Sequence, residues 1–176
     1  MKKLTKIKIN IGFSLIIILL GTFFLIFPSI NVTDASNLLY LILIVIGLLK
    51  FIEFMLSHDN KDYEQLFSSF ACFITCGFNS LVNFKNKLPL TLFVFVGLTC
   101  IIKLIKADYF NDRKNKLWYI CIANLLIFLV IGLIASLNLY YNTEIQTLFI
   151  GFVIVVYGFL DLVVPFIKYL KIKKVK

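Results

Sequence analysis

Six long apolar runs, separated by gaps of only 5–11 residues, leave this chain few ways to fold. They fall at about Ile9–Phe27, Leu38–Leu56, Leu66–Val82, Leu88–Ile105, Leu117–Leu139 and Thr147–Tyr169. Each is close to the ~20 apolar residues that cross a hydrocarbon core of roughly 30 Å. Inside lipid every backbone N–H and C=O must be bonded within the structure, so a span is either a helix or a strand of a closed barrel. The runs lack the alternation of barrel strands. The expected fold class is therefore all-α, a polytopic membrane bundle of six transmembrane helices forming one integral membrane domain over residues 1–176.

Charge supports this reading. Only 15% of residues are charged, against about 25% in an ordinary soluble domain. The 18 Lys and Arg residues give a net charge of +9, which in a soluble chain would suggest nucleic acid. Here they lie between the apolar runs, as membrane orientation requires, so the expected partner is the lipid bilayer and not nucleic acid. With the amino terminus inside, sixteen of the 18 fall on the cytoplasmic side, and the outer gaps hold only Lys85 and Lys87. Both termini are then cytoplasmic, with residues 170–176 a basic tail. The first run is longer than a signal-peptide core and lacks a small-x-small cleavage pattern, so it reads as a retained span. Seventeen lysines to one arginine, with abundant Ile, Phe and Asn, read as the product of an AT-rich bacterial genome, and hence point to a cell membrane.

Glycines recur at matching places. Gly21, Gly77 and Gly132 stand in the odd spans, 56 and 55 residues apart, and Gly47, Gly97 and Gly158 in the even spans. This predicts three copies of one helical hairpin, at about 9–56, 66–105 and 117–169, with the glycines as packing positions. The first hairpin, Gly21-Thr-Phe-Phe-Leu-Ile-Phe-Pro28 followed by Ile44-Val-Ile-Gly47-Leu-Leu, resembles the HdeD-like acid-resistance membrane proteins. The positions equivalent to Pro28 are Phe84 and Leu139, so the proline stands only once. The resemblance implies a small, six-helix protein of the cytoplasmic membrane, linked to acid or general stress, with no catalytic residues to carry over.

Ser68, Cys72, Cys76 and Ser80 recur every four residues in the third span. Small-xxx-small stripes let helix backbones approach where lipid removes the hydrophobic drive, so the closest helix contact is expected here. Gly132 and Ser136 repeat the spacing in the fifth span. The cysteines Cys72, Cys76, Cys100 and Cys121 form no Cys-x-x-Cys, and His58 sits in an inner loop beyond their reach. They read as small apolar packing groups, with no metal or cofactor implied. Small helix faces could equally serve a second copy or another membrane protein.

Ionisable residues within spans are costly and by default face the bundle interior. Lys50, Cys100 and Asp161 each lie three residues after an even-span glycine, and Glu53 and Lys103 each lie six after one. Matched depth predicts that Lys50 meets Asp161, with Glu53 and Lys103 pairing one turn nearer the inner surface. Pro165 removes the N–H that would bond the Asp161 carbonyl, predicting a helix kink beside the carboxylate. No Walker loop, dinucleotide-binding glycine pattern or nucleophile elbow occurs, so an enzyme is not expected. Two functions remain: a non-enzymatic stress-tolerance protein similar to the HdeD-like family, or a small ion, proton or solute transporter or channel subunit using Asp161 and Lys50.

Overall fold

The computed structural model describes residues 2–26, 35–56, 63–81, 87–141 and 146–174. These form six helices and, among the described residues, no strand: α1 (Lys2–Ile26), α2 (Ala35–Leu56), α3 (Glu64–Leu81), α4 (Lys87–Asp112), α5 (Leu117–Tyr141) and α6 (Gln146–Lys174). Pro28, His58, Phe84 and Lys85 lie outside the described residues, as do the side chains of Ser80, Lys87 and Leu139. All helices except α3 are long and apolar enough to cross a bilayer. Helix α3 has 18 residues, with Glu64 and Gln65 in its first turn.

Surface and interior are inverted relative to a soluble protein. Leu19 and Ile26 are 68% and 70% exposed, whereas Lys50 and Glu53 are each 1% exposed. An outer face of exposed Leu, Ile and Phe along five long helices is what a hydrocarbon solvent selects, and buried charges are what it drives inward.

The two helices of each expected hairpin are not each other's closest partners. The most extensive packing is α1 on α6, α4 on α5 and α2 on α3, while α1 with α2, α3 with α4 and α5 with α6 touch less. Closeness follows the small residues. A methyl group built on Gly21 would sit 2.7 Å from the Val155 backbone nitrogen and 3.0 Å from the Gly151 carbonyl. One on Gly158 would meet the Ile18 nitrogen at 3.0 Å, and one on Gly132 would lie 2.5 Å from the Val96 side chain. Gly47 is looser, with 3.2 Å to Cys72 Cβ. The closest approach is thus α1 on α6, not the α3 stripe, because two α6 glycines, Gly151 and Gly158, lie two turns apart on the face that meets α1. Gly77 and Gly97 correct the glycine expectation further. They are exposed, with nothing within 4 Å of an added methyl, and mark no helix contact.

At the centre Phe95, Phe128 and Tyr157, from α4, α5 and α6, form an aromatic triangle with ring centroids 5.6–6.3 Å apart. Edge-to-face pairs of this kind add to simple burial. Helix α4 continues past the expected Ile105 to Asp112. It stops because Lys114 takes a left-handed conformation (φ 51°), letting Asn115 N donate to Phe110 O (2.9 Å) and Lys114 N to Asn111 O (2.8 Å). These bonds satisfy the last carbonyls of the helix. Asn115 Oδ1 then accepts from Leu117 N at 3.2 Å, capping α5. Helix α6 runs through Pro165 without interruption and takes in most of the basic tail, ending at Lys174.

Candidate functional site

Polar and charged side chains gather at one end of the bundle, where α1, α3 and α5 begin and α2, α4 and α6 end. Lys50 is the hub. Its Nζ lies 2.5 Å from Asp161 Oδ2 on α6 and 2.7 Å from Glu53 Oε2 one turn along α2. The expected Lys50–Asp161 ion pair is therefore present. The expected pairing of Glu53 with Lys103 is not. Glu53 stands three residues from Lys50 on the same helical face, so the local partner takes it first. Its other oxygen, Oε1, lies 3.4 Å from Gln65 Nε2 of α3.

Asp161 has a second donor. Ser14 Oγ of α1 lies 2.8 Å from Asp161 Oδ2 and 3.0 Å from the Asn10 carbonyl, and the charged acceptor is the stronger of the two. A separate pair links α3 to α4, where Lys106 Nζ is 2.6 and 2.5 Å from the two Glu64 oxygens. Lys103 is 6% exposed and forms no ion pair among the described residues. Its Nζ stands 5.8 Å from the centroid of the Tyr157 ring. Asn124 Nδ2 of α5 donates to the Leu160 carbonyl of α6 at 3.1 Å.

Ser14, Glu53, Lys50, Gln65, Glu64, Lys106 and Asp161 thus tie five helices through charge-assisted contacts. Within a protein-lined membrane interior such bonds contribute about 0.6–2 kcal/mol each. Ser14, Asn10, Gln65, Glu64 and Asn124 went unnoticed in the sequence. A signal existed for two of them, since Asn10 and Ser14 continue into Ile17 and Gly21 at helical spacing, a polar start to a buried stripe. Ser14→Ala should lower stability by about 1–2 kcal/mol, because Asp161 keeps Lys50 but loses a buried donor. Thermal unfolding in detergent would check this, and an unchanged midpoint would remove Ser14 from the cluster.

Cys72 and Cys76 of the α3 stripe face α2, with Cys72 Cβ 3.2 Å from a methyl built on Gly47 and Cys76 Sγ 3.7 Å from the Tyr40 carbonyl, and beside them Ser69 Oγ donates to the Gly47 carbonyl (2.8 Å). Cys72, Cys76, Cys100 and Cys121 are all buried, and none is in a disulfide. Among the described residues no three His, Cys, Asp or Glu side chains gather as a metal site would require.

No family model, curated protein or solved structure matches this chain. Its class rests on its own physics. Apolar residues outside, a charged cluster inside and five helices of spanning length define a multi-pass helical membrane protein.

Proposed function

We propose that this chain is a non-enzymatic protein of a bacterial cytoplasmic membrane, similar to the HdeD-like family, that acts in acid or general stress tolerance. It crosses the bilayer six times with both termini in the cytoplasm, and is built as three copies of one hairpin. The sixth crossing is α3, whose 18 residues extend about 27 Å, close to a hydrocarbon thickness of roughly 30 Å. Its polar side chains are held by α2 and α4. The alternating packing supports the repeat: the second helix of each hairpin lies most extensively on the first helix of the next, and α6 closes on α1. The excess of Lys at the end holding the cluster supports the orientation.

The observation that carries the non-enzymatic reading is the charge cluster itself. Lys50, Lys103 and Lys106 stand against Glu53, Glu64 and Asp161, three cations to three anions. Lys50 and Asp161 are engaged with each other, leaving neither as a free nucleophile, base or ion ligand. Such a cluster clamps helices together. The transporter reading, with Asp161 and Lys50 as ion carriers, has less support because the pair is closed.

Two measurements on the same protein test the proposal. Deleting the gene should lower survival after acid shock, and restoring it should recover survival. Purified protein in liposomes should pass no protons or cations under an imposed gradient. Unchanged survival would end the stress reading, and flux lost in Asp161→Asn would establish transport instead.

A further inference from the structure

The end of the bundle that holds the charge cluster carries a second, separate apolar cluster. Ala107 and Phe110 of α4, Leu117 and Cys121 of α5 and Val164 of α6 pack together there, with Trp118 and Ile167 against them. This cluster fixes the α4–α5 turn beside the end of α6, two segments far apart in the chain. Lys168 Nζ, 4.9 Å from the centroid of the Phe110 ring, joins them directly. What the two segments present outward is basic. Arg113, Lys114 and Lys116 on the turn, and Lys171 and Lys173 on α6, are exposed, and Lys168 is half-buried. The exposed acids among the described residues of this corner are Asp108 and Asp112, so six cations stand against two anions. The buried cluster behind them is balanced, three charges to three, and leaves nothing to offset this surplus.

The corner also lies at headgroup depth. Helix α6 has 29 residues and extends about 43 Å, against a hydrocarbon core of roughly 30 Å. It carries no Lys or Arg before Lys168, so its excess length emerges at this end. Aromatic rings stand among the cations. Tyr109 and Tyr119 are exposed, the Arg113 guanidinium lies 4.1 Å from the centroid of the Tyr109 ring, and Trp118 stacks on Tyr119 at 3.8 Å. Such amphipathic rings favour the headgroup layer and hold the neighbouring cations at its level.

We infer that this corner, formed by the α4–α5 turn and the end of α6, is a binding surface for the anionic headgroups of the protein's own bilayer, and that it gathers acidic phospholipid around α4, α5 and α6. Its surplus of cations complements the phosphodiester, and each Lys or Arg near an anionic surface favours contact by about fivefold. The charges are exposed, so added salt screens the attraction. The surface is independent of the stress-tolerance reading and of which leaflet the end faces.

Trp118, the chain's one tryptophan, stands at the corner and reports on the lipid beside it. Full-length protein is reconstituted into mixed bilayers of phosphatidylcholine and phosphatidylglycerol, with bromine on the acyl chains of one lipid or the other to quench Trp118 on contact. Phosphatidylglycerol should occupy the positions beside Trp118 about fivefold or more above its share of the bilayer at low salt, and the preference should shrink as salt is raised. Changing Lys114, Lys116, Lys171 and Lys173 together to Gln alters exposed side chains and spares the packing. It should cut the preference about threefold or more while leaving the unfolding midpoint in neutral detergent unchanged. Lys114→Gln with Lys116→Gln alone should give an intermediate preference, and keeps the test intact should the fourfold variant fail to fold. Equal quenching by the two brominated lipids in the native protein, or a preference unchanged in the variants, would overturn the surface. So would a Trp118 response in neutral detergent to an oligonucleotide but not to phosphatidylglycerol, which would assign the cations to an acidic macromolecule.

Discussion

Lys50→Met should destabilise the protein by about 3–5 kcal/mol, the range for breaking a buried ion pair from one side. The substitution keeps the length and apolar volume of the stem but removes the cation between Asp161 and Glu53. Two carboxylates then face each other in a low-dielectric interior, with Ser14 and Gln65 as their remaining donors and Lys103 and Lys106 further off. The effect should appear as a lower unfolding midpoint in detergent and poorer recovery of folded protein from membranes. A double-mutant cycle separates the pair from its surroundings. Adding Asp161→Asn to Lys50→Met should cost less than the two single losses combined, by about 0.5–3 kcal/mol. Additive effects would mean that the 2.5 Å contact couples nothing.

Gly21→Ala should also be damaging, for a steric reason. The added methyl would stand 2.7 Å from the Val155 backbone nitrogen and 3.0 Å from the Gly151 carbonyl, and backbone cannot turn aside as a side chain can. Helices α1 and α6 would have to separate along their whole contact, the most extensive in the protein. Overpacking of this kind costs about 1–3 kcal/mol. Gly97→Ala provides the contrast, because nothing lies within 4 Å of its methyl and the loss of a flexible glycine from a helix is worth roughly 0.5–1 kcal/mol in favour of the variant. Equal midpoints for the two alanine variants would show that glycine position in the sequence, not contact in the fold, decides their effect.

These two expectations divide the glycines that sequence spacing treats alike. Gly21, Gly132 and Gly158 lie where a neighbouring helix presses in, while Gly77 and Gly97 face outward. Spacing reveals that a glycine recurs, but which side of the helix meets a partner depends on the helix's rotation, and α4 carries apolar residues on every side. The charge cluster divides the same way. The Lys50–Asp161 contact was legible because two opposite charges stood at matched offsets in two even spans, the second and the sixth. The Glu53–Lys103 pairing followed from the same logic and failed, since matched depth ignores the competition from a partner one turn away on the same helix.

The sequence by itself determined that the chain is helical, that its long helices are apolar enough for a bilayer, and that the few charges within them must turn inward. Length, hydropathy and the cost of bare backbone in lipid decide those matters segment by segment. Only the tertiary structure decided which helices press together, that α1 closes on α6, and that Ser14 completes the Asp161 site. Those depend on the rotation and neighbourhood of each helix, and a helix apolar on all its faces carries no local signal of either.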